Sequence, residues 1–308
     1  MPAYNAEKYI AQAIESMLSQ SYGNIELLIA DDCSTDGTLK IIRRYESDLR
    51  VKLFRNELNS GYLKTTNFLF DKCSGDFITF LDADDFCDIN RIAKQLNFLN
   101  NFSDISCVGC FVQRIDENNK HVELLSFRTN HDDIYNALPD EYHFVGSAVM
   151  IRRNVLDAEG GFHPVFDRIG SEDLYWLSKI TLKFKISNIA EPLYYYRHSG
   201  ESVSAQNKRS IEGQFSKELA QIAFLKLRDE KIDIFSNENK SFLHETTDFL
   251  RMKYNFWNGN YMKGVLFGIK GIISGNNYSS ESKIYIRMYL SKILKSLFSF
   301  KLNKITVN

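Results

Sequence analysis

Two short, nearly continuous apolar runs in this 308-residue chain each end in a cluster of aspartates. Ile25-Glu26-Leu27-Leu28-Ile29-Ala30 runs into Asp31-Asp32, and Phe77-Ile78-Thr79-Phe80-Leu81 runs into Asp82-Ala83-Asp84-Asp85. Runs this short and apolar read as strands covered on both faces, as in a parallel sheet. Parallel strands need crossovers, and helical stripes stand where the crossovers belong. One stripe is Ile10, Ala13, Ile14, Met17 and Leu18, another is Leu39, Ile41, Ile42 and Tyr45, and a third covers Tyr62 to Phe70. Val51-Lys52-Leu53-Phe54 reads as one more strand. The alternation predicts an α/β fold, a mostly parallel sheet flanked by helices. Ligands in such folds sit beyond the carboxyl ends of the strands, where both acid clusters fall.

Three carboxylates within four residues repel one another unless a cation sits among them. Hard carboxylate oxygens suit Mg²⁺ or Mn²⁺, which share coordination with substrate phosphates. The plainer reading is a solvated acidic loop, or a helix start with acids in its first turn. Asp32, at its strand end, could accept from a ribose hydroxyl or a base N–H, while Asp36-Gly37-Thr38 also suits plain turn chemistry. A phosphatase reading fails, because Ser34 stands where the nucleophilic Asp would be. Glu172-Asp173 opens a helical stretch, Leu174 to Ile180, so a first-turn role is open there too. Cys107 and Cys110 lack a second Cys or His pair, and in a strand they face opposite sides, so they read as core.

The composition, 44% hydrophobic and 25% charged, is that of a soluble globular protein. No run approaches the roughly 18 apolar residues of a membrane span, and the N-terminus lacks the features of a secretory signal. Five scattered cysteines, an odd number, form no disulfide framework and fit a reducing cytoplasm. After residue 205 the texture turns helical, with Ile211, Phe215, Leu219 and Ile222 in register, which places a boundary between 1–205 and a helical C-terminal region, 206–308. The net charge of −1 hides an asymmetry: Arg251 to Asn308 carries ten Lys or Arg against one acid, Glu281. As a helix, 286–300 puts Ile286, Leu290, Ile293, Leu294 and Leu297 on one face and Arg287, Lys292 and Lys295 with three serines on the other. That pattern suits either an anionic membrane surface or packing on the chain's own core. No nucleic-acid partner is expected.

Taken in order, the motifs resemble the family 2 inverting glycosyltransferases. They are Pro2-Ala3-Tyr4-Asn5, Asp31-Asp32 through Thr38, Asn59-Ser60-Gly61 with Asn67, Gly75-Asp76-Phe77-Ile78, Leu81-Asp82-Ala83-Asp84-Asp85, Gly160-Gly161-Phe162 and Glu172-Asp173-Leu174. The resemblance covers about residues 1 to 200. It implies the GT-A nucleotide-sugar-binding fold, Rossmann-like, and a UDP-sugar donor. It further implies that Asp32 binds the base, flanked by Pro2, Ala3 and Tyr4, and that Asp82 lies near the ribose. Asn59, Gly61, Lys64, Asn67 and Ala83 join them in the donor site. Asp84 becomes the main ligand of Mn²⁺ or Mg²⁺, and Asp173 the general base. Arg197 and His198, in Tyr194-Tyr195-Tyr196-Arg197-His198, match a closing segment that reaches the diphosphate or the metal. The acceptor implied is a lipid-linked or polysaccharide intermediate of cell-surface glycan synthesis, at the inner face of the cytoplasmic membrane.

Two departures stand out. Family members carry a short apolar strand before Pro2 that is essentially absent here, so a truncated first strand or a misassigned start is expected. Thr66 stands where many members have Arg, and Lys64, a point charge rather than a fork, is the candidate substitute. A nucleotidyltransferase and a catalytically inactive GT-A module are the competing expectations, though no Gly-rich basic loop for a triphosphate is present.

Overall fold

The computed structural model describes residues 1–198 and 210–239, together with 243, 246, 247, 250 and 251. The chain forms two compact units, Met1–Gln206 and Asn207–Asn308.

The first unit holds two sheets. The smaller is parallel, in the order β1 (Pro2–Ala3), β2 (Leu27–Asp31), β3 (Val51–Arg55). Its crossovers contain α1 (Ile10–Leu18) and α2 (Thr38–Ile42). All five residues of β2 are buried, as their apolar run predicts. Then α3 (Tyr62–Lys72) leads to β4 (Phe77–Thr79), the edge of the larger sheet.

The larger sheet departs from the parallel expectation. Its order is β4, β8 (Met150–Arg152), β6 (Ile105–Ile115), β9 (Lys185–Arg197), β5 (Phe86–Cys87), with β7 (His121–Leu125) pairing with β6. Only β6 and β9 are parallel; the other pairs are antiparallel. The parallel reading thus describes the smaller sheet and one pair of the larger. Strand direction here is set by pairing between distant segments, which local periodicity does not encode.

Both faces of β6 are covered, so Cys107, Val108, Cys110 and Val112 are all buried and the two cysteines are core. All five cysteines are free. Helix α4 (Arg91–Asn101) packs Ile92 and Leu99 into the core. Its Arg91 and Gln95 are fully buried and satisfied. Arg91 donates to the Phe80 carbonyl (2.9 Å), the Thr79 hydroxyl (2.8 Å) and the Ser147 carbonyl (2.9 Å). Gln95 donates to the carbonyls of Val108 (3.1 Å) and Ala148 (2.9 Å). Buried polar groups survive only when bonded in this way, and these bonds fix the end of β4 just before the acid cluster. Helices α5 (His131–Ala137), α6 (Arg153–Glu159) and α7 (Glu172–Ile180) complete the unit.

In the second unit, α8 (Ile211–Leu225) is capped by Ser210, whose hydroxyl accepts from the Gly213 N–H, and buries Phe215, Leu219, Ala223 and Phe224. No helix among the described residues is long and apolar enough to cross a membrane. The amphipathic stretch 286–300 and the tail 282–308 lie outside the described residues.

Candidate active site

The loops leaving β1 and β2 lace together. Asn5 accepts from the Thr35 N–H (2.9 Å) and its own N–H donates to the Ser34 hydroxyl (3.0 Å). Asp36 accepts from the N–H groups of Glu7 (3.2 Å) and Thr38 (2.9 Å), so Asp36-Gly37-Thr38 is the turn and cap its composition allows. Tyr4 stands half exposed on this rim, while Pro2 and Ala3 are strand residues.

Asp32 closes the adjoining wall. It is 3% exposed, and its carboxylate accepts from the Asn56 amide (2.7 Å) and the N–H groups of Ser60 (2.8 Å) and Gly61 (2.8 Å). Three of its roughly four acceptor sites are thus taken, leaving about one for a ligand. Gly61 must be glycine: its φ is +90°, a conformation other residues rarely adopt. Asn59 is held from across the cleft, where Arg168 donates to its carbonyl (2.8 Å) and side-chain oxygen (3.1 Å).

The acid cluster follows β4. Asp82 accepts from the Tyr62 hydroxyl (3.2 Å), and its own N–H donates to the Tyr194 hydroxyl (3.3 Å). Burial raises its carboxyl above the usual range. Burial, and then the charge of Asp82, push Asp84 up to about 6. Asp85 accepts from the Tyr194 hydroxyl (2.7 Å) and the Arg197 N–H (2.7 Å) and so braces the loop. Ala83 is buried between them. Two crowded, partly desolvated carboxylates of hard oxygen are the donor chemistry that Mg²⁺ and Mn²⁺ take. Among the described residues no three His, Cys, Asp or Glu side chains form a cage. A site that shares its cation with a diphosphate needs only one or two carboxylates.

The third wall is the start of α7. Glu172 and Asp173 fill its first turn, where the helix dipole favours carboxylates, but function is open to them as well. Burial raises both carboxyls, Glu172 further through its neighbour's charge and Asp173 through that of Asp82. Asp173 accepts from the Leu174 N–H at 2.8 Å. The Tyr62 hydroxyl lies in the combined field of Asp82, Glu172 and Asp173, so the two acid groups lie near one another. A cluster of Phe70, Phe80, Phe162 and Trp176, mostly edge to face, seats α7 against α3, and the Trp176 indole N–H donates to the Gly160 carbonyl at 2.8 Å.

Several expected binding groups have protein partners, and for Arg197 this corrects the sequence reading. Arg197 is 2% exposed. Its guanidinium donates to the Asp84 carbonyl (2.7 Å), the Asp116 carbonyl (3.1 Å) and Gln12 (3.0 Å), and lies 4.1 Å from the centre of the Tyr9 ring. It therefore positions the acid loop from behind instead of reaching a diphosphate. Asn67 exchanges two 2.8 Å hydrogen bonds with the Phe162 backbone and ties α3 to the Gly160-Gly161-Phe162 turn. Lys64 pairs with Asp167 at 2.6 Å, although its side chain stays largely exposed. The His198 N–H donates to the Ile115 carbonyl at 2.9 Å, which fixes its backbone at the end of β9.

Sequence reasoning missed Gly146. A Cβ there would stand 2.6 Å from the Asp173 carboxylate oxygen and 2.7 Å from its Cβ. Gly146→Ala is expected to displace Asp173 and cost about 10²-fold in kcat, the scale of a 1 Å misplacement. Nucleotide affinity should be unchanged; steady-state kinetics beside a nucleotide titration check this.

The fold is that of glycosyltransferases of GT-A type. A crystal structure of Staphylococcus aureus TarS 1–349 in complex with UDP-GlcNAc superposes with a TM-score of 0.55 at 18% identity, covering 90% of this chain and 91% of that one. Residues 1–160 match the sequence profile described as Glycosyl transferase family 2, and the chain belongs to that family. The putative glycosyltransferase EpsE of Bacillus subtilis is 31% identical over 211 residues, which are 66% of this chain and 73% of EpsE. An uncharacterized Haemophilus influenzae glycosyltransferase is 50% identical over 100 residues, 32% of this chain and 40% of its own length. The Escherichia coli UDP-Glc:α-D-GlcNAc-diphosphoundecaprenol β-1,3-glucosyltransferase WfgD is 42% identical over 105 residues, 33% of this chain and 41% of WfgD.

Proposed function

We propose that this chain is an inverting, metal-dependent glycosyltransferase. It moves a sugar from a UDP-sugar to a hydroxyl of a lipid-linked or polysaccharide acceptor in cell-surface glycan synthesis. The observation that carries this is the nearness of two acid groups, the one holding Asp82 and Asp84 and the other Glu172 and Asp173, with the Tyr62 hydroxyl bonded to Asp82 at 3.2 Å and within the field of both. The donor and acceptor classes draw support from the UDP-GlcNAc bound to TarS and from WfgD's named reaction.

In this reading Tyr4 and the last free acceptor position of Asp32 receive the base. Asp84, with Asp82 beside it, would hold Mn²⁺ or Mg²⁺, which when bound offsets the charge of the departing UDP. Asp173 takes the proton from the acceptor hydroxyl as that oxygen attacks C1 opposite the diphosphate, which inverts the anomeric centre. The test is UDP release from UDP-Glc, UDP-Gal, UDP-GlcNAc and UDP-GalNAc, with and without acceptor. Release from at least one donor supports the reading. No release from any of them with Mn²⁺ or Mg²⁺ present overturns it, and pyrophosphate release from a nucleoside triphosphate would point to a nucleotidyltransferase.

The 206–308 region is proposed to carry the enzyme to its acceptor at the inner membrane face. After Glu281 come Lys283, Arg287, Lys292, Lys295, Lys301 and Lys304 with no acid. Each adds up to about 1 kcal/mol near an anionic surface. Deleting 282–308 is expected to abolish sedimentation with anionic vesicles, and raising salt to weaken binding of the full chain. Equal binding to neutral and anionic vesicles would refute this.

A further inference from the structure

The first turn of α7 is reached through a segment that its own backbone does not settle. Three of the four residues from 168 to 171 lie in the left-handed region, Arg168 at φ +61°, Gly170 at +82° and Ser171 at +68°. Residues with a side chain adopt this conformation reluctantly, and two of these three are not glycine, so the surroundings must hold it. Ser171 is where α7 starts, since its carbonyl accepts from the Tyr175 N–H at 3.1 Å. The aim of Glu172 and Asp173 therefore depends on what fixes 168–171.

The fixing groups belong to the stretch 59–64. One terminal nitrogen of the Arg168 guanidinium donates to the Asn59 carbonyl (2.8 Å) and to its side-chain oxygen (3.1 Å). The guanidinium carbon lies 3.4 Å, and an Asp167 carboxylate oxygen 3.5 Å, from where a Cβ of Gly61 would stand, so both side chains pack on bare backbone. Lys64 pairs with Asp167 at 2.6 Å beside them. That pair is a single contact of a largely exposed point charge, whereas Arg168 grips two acceptors and so fixes direction as well as distance. The gripped loop is the one whose Ser60 and Gly61 N–H groups hold the Asp32 carboxylate, each at 2.8 Å. An unbroken line of contacts thus runs from Asp32 through 59–61 and Arg168 to the start of α7.

On the reading that Asp173 is the general base and Asp32 meets the donor, we propose that Arg168 is a positioning residue for sugar transfer. It ties the segment that carries Asp173 to the loop that orients Asp32, so the acceptor's proton is taken at a fixed place relative to the donor. Arg168 touches neither the proton nor the sugar; it acts through Asp173. Its bonds are exposed and add little to stability, but a displacement of about 1 Å in a reacting group costs much in rate.

Arg168→Asn is the test variant. Asparagine tolerates a left-handed backbone and is too short to reach Asn59, so the fold stays and the grip goes. The expected result is a kcat about 10²-fold lower, with UDP affinity within about twofold and Tm within about 2 °C of the wild type. Arg168→Lys, which still reaches one acceptor, should recover part of the loss. The double variant with Asp173→Asn reads the mode of action. Once the carboxylate is gone there is nothing left to aim, so the double variant should be no slower than Asp173→Asn alone. Losses that multiply, an unchanged kcat in Arg168→Asn, or a fall in Tm that accounts for the lost activity each overturn the proposal. Wild-type kcat in Asp173→Asn would instead overturn the assignment of the base, and the proposal with it. One measurement needs no turnover: the Leu174 N–H donates to the Asp173 carboxylate at 2.8 Å. Its exchange with solvent should quicken about tenfold in Arg168→Asn while Leu28 and Ile29 exchange as before. Equal exchange at Leu174 in both proteins overturns the proposal as well.

Discussion

Asp173→Asn is expected to lower kcat by about 10²–10⁴-fold, the usual worth of a general base, with UDP affinity nearly unchanged. Asparagine keeps the shape and can still accept the Leu174 N–H bond, so the loss reads the proton-accepting role rather than the packing. Glu172→Gln should cost far less, because only one carboxylate takes the acceptor's proton. The pH profile adds a check. A base acts when deprotonated, and burial raises the Asp173 carboxyl. Its acid limb must therefore lie above the ordinary aspartate value near 4, with kcat falling as pH drops through that limb. The limb belongs to the Glu172–Asp173 pair, and Asp173→Asn should remove or move it. A raised KM at constant kcat would make Asp173 a binding group and shift the base to Glu172.

The parts of this site legible in the sequence were those announced by local pattern. Apolar runs ending in acids marked Asp32, Asp82 and Asp84 as residues beyond strand ends, and an acidic pair opening a helical stripe put Asp173 in a first turn. What local pattern could not show was which polar side chains face inward. Arg197, Asn67 and Arg91 look in one dimension like surface or ligand-binding residues. Their partners lie 113, 95 and 56 residues away, at the Asp84, Phe162 and Ser147 carbonyls. Gly146 is silent for the same reason, since its need to be small is set by Asp173 across the fold. The larger sheet's mixed direction was hidden likewise, because β8 and β9 reach their neighbours only after long excursions. The order of motifs gave the family, and the buried hydrogen bonds show which polar side chains brace the fold.

Asp84→Asn is the sharper test of the metal reading, because activity and stability should move in opposite directions. Loss of a carboxylate ligand removes charge and geometry together, and several kcal/mol of transition-state stabilisation correspond to about 10³-fold or more in turnover. Wild-type turnover should also vanish with EDTA and return with Mn²⁺ or Mg²⁺; activity that survives EDTA would sink the assignment. The metal-free protein gives the opposite sign. Asp84 is half-buried beside Asp82, and ionising it there is opposed first by burial and then by the like charge. A neutral side chain of the same shape removes that cost, so the metal-free variant should melt at or above the wild-type temperature. Arg197 donates to the Asp84 main-chain carbonyl, so the loop keeps its brace. Mn²⁺ with UDP should then raise the wild-type Tm by mass action and leave the variant's nearly unmoved. A variant that lost both activity and stability would show Asp84 to be structural, and one that kept its Mn²⁺-dependent shift would move the ligand role to Asp82.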